Sequence, residues 1–208
     1  MVFKMVFKKR EFLNIIASLI LLIRNLFFLI FFPYKGMRRI SLEKDYWQIF
    51  FIFLLVFIYF NLSYFLTDRN YLPIFKFFIF LINFFSMIGF FYFLGRFFNK
   101  KIKKRPFFFT FSYALFPTLV WFFTALFFYF ILPPPRSLSF MGKAFSIFFI
   151  TFSLTIFYWK LILFYLAIRF STGLSFFEIV YLIFLFLLWY IPYSIILYYL
   201  KIFRIPFI

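Results

Sequence analysis

The sequence predicts an all-α protein, a polytopic transmembrane helical bundle of five spans preceded by an amphipathic interfacial helix. Three observations carry this. Of 208 residues, 67% are hydrophobic and only 13% charged, with 48 Phe among them. That is more apolar side chain than a water-soluble globule of this size hides. Five predominantly apolar runs reach the roughly 20 residues a helix needs to cross a hydrocarbon core of about 30 Å. The basic residues between those runs fall mainly on one side of the membrane when the spans are counted off in order.

The first element, 11–32, is long enough to cross yet contains Asn14, Arg24 and Asn25. On a helical wheel Arg10, Glu11, Asn14, Ala17, Ser18, Leu21, Arg24 and Asn25 share one stripe. Such a stripe fits a helix lying along an interface with its polar side in the headgroups. Residues 1–45 are therefore expected to form a cytoplasmic amino-terminal region, and 46–208 a five-helix transmembrane domain. Lys4 and Lys8 before an apolar run also suit a signal peptide, but Phe31, Phe32, Pro33 and Tyr34 offer no small-residue cleavage site.

The five spans read 46–66, 73–95, 107–132, 144–168 and 174–200. Barrel strands are excluded, since they alternate over about 10 residues and these runs are apolar on every face. The breaks are 67–72 with Asp68, the basic 96–106, the Pro133, Pro134, Pro135 and Arg136 stop, and 170–173 with Gly173. No internal repeat is present.

Loop charge favours five crossings over six. With five, one side carries Lys4, Lys8, Lys9, Arg10, Lys35, Arg38, Arg39, Lys44, Arg96, Lys100, Lys101, Lys103, Lys104, Arg105 and Arg169, fifteen in all. The other carries five, namely Arg69, Arg136, Lys143, Lys201 and Arg204. If 11–32 also crossed, the contrast would fall to eleven against nine. Positive charge is retained inside, so the amino terminus is expected in the cytoplasm and the carboxyl terminus outside.

Composition narrows the chemistry. The chain has no His, no Cys and five carboxylates, Glu11, Glu43, Asp45, Asp68 and Glu178, which removes thiol chemistry, disulfides, zinc sites and His-dependent triads. No catalytic residue, metal or cofactor is expected. Asp45 and Asp68 lie on opposite sides of the membrane, and Ser153 is two turns from Lys160, so neither an aspartyl dyad nor a Ser–Lys pair forms. A net charge of +18 would suit nucleic acid in a soluble protein, but here it orients the chain, and no nucleic-acid partner is expected.

Lys160 is the one charge far inside a span. It is a functional candidate by position, although, nine residues and roughly 13 Å before Arg169, its stem also reaches toward the headgroups by snorkelling. Glu178, just across the 171–173 turn, is a candidate partner. Ser146, Ser153, Lys160 and Ala167 recur every seven residues and mark a face turned toward other helices. Asn83, Ser86 and Gly89 form a similar strip, and Pro117 and Pro192 are expected to kink their helices. Some of the four Trp and 15 Tyr anchor the interfaces, and those near mid-span pack the core.

Three stretches resemble one family. The run from Phe32 through Pro33, Tyr34, Lys35, Gly36, Met37, Arg38, Arg39, Ile40, Ser41 and Leu42 to Glu43 looks like the approach to the first span in prokaryotic members of the YIP-one domain family. The members of that family are five-span proteins related to the Ypt-interacting proteins. The basic stretch ending at Arg105 and leading into Phe111, Ser112, Tyr113, Ala114, Leu115, Phe116 and Pro117 resembles the tyrosine–alanine and proline signature of its third span. Tyr158 to Leu161, Ala167 to Arg169 and Gly173 to Glu178 resemble its fourth and fifth spans and their short connection, with Glu178 where a basic residue is common. The resemblance runs from about Ile23 to the end. It implies five spans, a cytoplasmic amino terminus and no enzymatic activity. The Rab-type GTPase association of eukaryotic relatives uses a longer amino-terminal region and is not carried over. Richness in Phe, Ile and Lys fits an AT-rich genome and a prokaryotic plasma membrane.

Two functions are expected to compete. One is a non-enzymatic protein that organises membrane or recruits an unidentified protein partner, with Arg96, Lys100, Lys101, Lys103, Lys104 and Arg105 contacting anionic lipid. The alternative is a small transporter or channel subunit using an intramembrane polar site of Lys160, Glu178, Asn83 and Ser153. The sequence sets no oligomeric state.

Overall fold

The computed structural model describes residues 2–66, 71–131 and 140–202, with side chains from Leu13 in the first helix and from Gly142 in the seventh. Helices account for nearly all of it: α1 (Val2–Phe31), α2 (Pro33–Ile40), α3 (Trp47–Leu66), α4 (Pro73–Phe98), α5 (Lys104–Ala114), α6 (Phe116–Ile131), α7 (Phe140–Thr172) and α8 (Phe176–Tyr199). The described residues contain no strand. The protein is a polytopic helical membrane bundle, as the sequence predicts. The span count differs, because six helical stretches are long and apolar enough to cross, the additional one being Leu13–Phe31. The breaks at 67–70 and 133–136 lie outside the described residues.

Local chemistry sets the helix ends. Pro33 and Pro73 open α2 and α4, where a missing N–H is no loss and φ is already helical. Ser175 caps α8 in a reciprocal box with Glu178. Gly173 ends α7 at φ +70°, with its N–H donating to the Arg169 carbonyl at 2.8 Å. A Cβ there would meet only Asn99 Nδ2 at 3.9 Å, so the penalty for Gly173→Ala is conformational. It is expected to destabilise the bundle by about 1 kcal/mol in dodecyl sulfate unfolding. Gly89→Ala, at a helical site with nothing within 4 Å, is expected to be neutral or stabilising.

The third predicted span is two helices. Pro117 has no N–H to give, and around it the chain tightens into a short turn in which Leu115 N–H donates to the Ser112 carbonyl at 3.2 Å. Pro192 behaves differently, since α8 runs through it unbroken. The α5 half forms the centre of the bundle. Phe107, Phe109, Phe111 and Tyr113 are fully buried, and α5 packs against α2, α3, α4 and α7.

A short amphipathic helix that the sequence reading did not separate from the loop follows α1. It is α2, which buries Gly36, Met37 and Ile40 and exposes Lys35, Arg38 and Arg39. Gly36 permits a close approach of α2 to α1, since a Cβ there would lie 3.3 Å from Phe28 and Leu29 backbone. In α1 the side turned inward carries Ser18, Leu22, Asn25 and Leu29, so two residues predicted to face headgroups face protein instead.

Candidate functional site

The helix order brings six element ends to one end of the bundle. The Tyr34 ring of α2 meets Phe170 of α7 edge-on at 5.0 Å, and Tyr46 before α3 meets Phe109 of α5 at 5.2 Å. Asn99, after α4, donates from Nδ2 to the Thr172 carbonyl at the end of α7 (3.1 Å), and α8 begins four residues later. The opposite end is marked by the Tyr71 hydroxyl donating to the Leu200 carbonyl at 3.0 Å.

The first end is strongly basic. Lys35, Arg38 and Arg39 of α2, Lys44, and Arg96, Lys100, Lys101, Lys103, Lys104 and Arg105 around the α4–α5 turn are all exposed there, as is Arg169 of α7. Among the described residues only Glu43, Asp45 and Glu178 bring negative charge to the same end. Several of the cations lie against aromatic rings. The Lys104 ammonium sits 5.5 Å from the Tyr92 ring centre, and the Arg169 and Arg39 guanidinium groups sit 5.8 Å from Tyr34 and Phe28. Arg96 and Arg169 lie in the last turns of α4 and α7, where a cation complements the helix dipole. Lys104 and Arg105 do the reverse, opening α5 where the dipole disfavours positive charge. Helix stability therefore does not account for the cluster at 100–105.

Just inside this end lies a buried polar cluster that sequence reasoning missed as a unit. Asn25 Nδ2 donates to Gln48 Oε1 at 3.2 Å and to the Tyr113 oxygen at 3.3 Å, and the Tyr113 hydroxyl donates to Gln48 Oε1. Gln48 Nε2 reaches back to Asp45 Oδ2 at 3.4 Å, while Asp45 Oδ1 accepts from the Trp47 N–H at 3.1 Å and starts α3. The bonds tie α1, α3 and α5 together. Asn25 Oδ1 and Arg24 Nε are buried without a partner in the structure. The available signal was Gln48, an amide in an otherwise apolar run. Asn25 stands out in the sequence too, but on a stripe expected to face the headgroups.

The other predicted site residues are dispersed. Lys160 is half-buried on the inward face of α7, in register with Ser146, Ser153 and the fully buried Ala167. Ser153 accepts a hydrogen bond from the Trp121 indole N–H at 3.0 Å, which fixes α7 to α6. Glu178 Oε2 accepts from the Ser175 N–H and hydroxyl at 2.8 and 2.7 Å, so its carboxylate serves the cap of α8. No ion pair joins it to Lys160 among the described residues. Asn83 Oδ1 accepts from the Tyr193 hydroxyl at 2.6 Å and joins α4 to α8, whereas Ser86 is exposed and Gly89 faces open space. Among the described residues no group of three His, Cys, Asp or Glu is placed to hold a metal ion.

Fold and surface together define the class, a multi-pass helical membrane protein with one strongly basic end. Compared with models of protein families, with curated proteins and with solved structures, the chain finds no match.

Proposed function

We propose that this protein is a non-enzymatic, YIP-one-like membrane organiser of a prokaryotic plasma membrane, gathering anionic lipid around a basic cytoplasmic end. The observation that carries the reading is the gathering, among the described residues, of eleven exposed Lys and Arg against three carboxylates at one end of the bundle. Positive charge beside a span is retained in the cytoplasm, which sets the orientation. Each such side chain near an anionic leaflet contributes about 1 kcal/mol, and Tyr34, Tyr46 and Tyr92 at the same level suit the headgroup boundary. The order of the three YIP-one-like stretches supports the family reading. In the bundle the first leads through α2 into α3, the second contains the α5–α6 break, and the third includes the short α7–α8 connection.

The test is lipid selectivity in proteoliposomes, read as the preference for spin-labelled phosphatidylglycerol over phosphatidylcholine at the protein boundary. Replacing Lys100, Lys101, Lys103 and Lys104 with Gln is expected to reduce that preference by roughly tenfold at low salt. Unchanged selectivity in a folded variant would refute the lipid-gathering role and leave the charges as topology signals alone.

A further inference from the structure

We infer that α1 crosses the bilayer through Leu13–Phe31 as a sixth span, with its first turns, residues 2–12, on the side opposite the basic end, which departs from the five spans and cytoplasmic amino terminus that the YIP-one resemblance implies. Three observations carry this. The first is reach, because Leu13–Phe31 is 19 residues and roughly 28 Å of helix, matching a hydrocarbon core of about 30 Å. The second is direction. Asn25 is held by Gln48 and Tyr113 just inside the basic end, and α1 packs on α3. Its buried stripe continues from Leu29 through Asn25 and Leu22 to Ser18, roughly 16 Å along the axis and away from that end.

The third is the character of the opposite face. A helix lying in the interface turns a polar side to water and an apolar side down. On α1 the arrangement is reversed. Ser18 and Asn25 are buried in protein, while Ile16, Ile20, Ile23, Phe27 and Ile30 are exposed by 39 to 61%. Between Leu13 and Phe31 the one exposed polar side chain is Asn14, at the outer end. Apart from the partly buried Arg24, no side of this helix is suited to water, and hydrocarbon is the medium that suits the rest of its exposed length.

A sixth span also changes the charge account. Lys4, Lys8, Lys9 and Arg10 move away from the basic end, leaving eleven cations against nine. Loop charge then opposes the insertion of α1 without preventing it, and the Asn25 cluster is what compensates. A buried amide that would otherwise be left in lipid finds both of its partners only when α1 lies alongside α3 and α5.

The experiment uses single cysteines in this Cys-free chain and a membrane-impermeant maleimide on sealed vesicles. Met5→Cys reports the amino-terminal turns of α1, Lys101→Cys the basic end and Lys201→Cys the opposite end. Met5→Cys is expected to share the accessibility of Lys201→Cys and to be at least tenfold less reactive than Lys101→Cys from the side where the latter labels. Labelling of Met5→Cys together with Lys101→Cys, in whole or in part, would overturn the sixth span. Running all three cysteines in the Gln48→Leu background separates the cluster from the span itself. A shift of Met5→Cys toward the Lys101→Cys side is expected there, and its absence would reject the cluster as the compensating force.

Discussion

Phe111→Ala is expected to be the most damaging single substitution in the bundle, costing about 3–5 kcal/mol. Its ring is fully buried, 5.7 Å from Phe91, 5.8 Å from Phe107 and 5.7 Å from Phe164, so its removal takes contacts from α4, α5 and α7 together. Lipid offers little gain for burying an apolar side chain, so the cost is mostly lost packing and an unfilled cavity rather than lost hydrophobic transfer. Unfolding in dodecyl sulfate mixed micelles measures it. Phe97→Ala, at an exposed site outside this cluster, is expected to change stability by less than about 0.5 kcal/mol and serves as the control. Equal losses at the two positions would show that α5 is not the centre of the core.

The second large effect is expected at Gln48. Gln48→Leu leaves the Asn25 amide and the Tyr113 hydroxyl buried with only a 3.3 Å bond to each other. The expected loss is about 2–3 kcal/mol, because an orphaned polar group costs more than a made bond contributes. The signature is an asymmetry. Combining Gln48→Leu with Asn25→Leu and Tyr113→Phe removes the two groups that Gln48→Leu orphans and is expected to recover more than half of that loss, since hydrogen bonds between membrane helices average only about 0.6 kcal/mol. A triple variant less stable than Gln48→Leu would mean that the three side chains do not act as one cluster.

Most of the bundle is legible in the sequence because a membrane span is a local signal. Long apolar runs placed the five helical stretches from 46 to 200 to within a few residues, and Gly173 marked the end of α7 correctly. What escaped was whatever depends on partners far away in the chain. Asn25 and Ser18 were read correctly as one stripe, but a helical wheel does not say whether a stripe meets headgroups or protein. Their burial is settled in part by Tyr113, 88 residues further on. Glu178 shows a different failure. Ser175 followed three residues later by Glu is a capping-box signature, yet proximity to Lys160 in the sequence drew attention inward. Pro117 and Pro192 looked alike, and only the packed environment of α5 tells the broken helix from the continuous one.

The place of Lys160 has an electrical consequence. A transmembrane voltage does work on a charge only across the low-dielectric slab where the field falls, about 2.3 kcal/mol per charge for 100 mV over the full thickness. The eleven cations of the basic end lie beyond that slab and are not moved by it. Lys160 lies twelve residues before the end of α7, roughly 18 Å along the helix, and is the deepest of the cations. Even a one-turn slide of α7, about 5.4 Å, would carry it through less than a fifth of the field, worth about 0.4 kcal/mol per 100 mV, which is below thermal energy. Despite a net charge of +18, the described bundle holds little of its charge where a resting potential could pull on it, namely Lys160 and, with α1 as a span, Arg24.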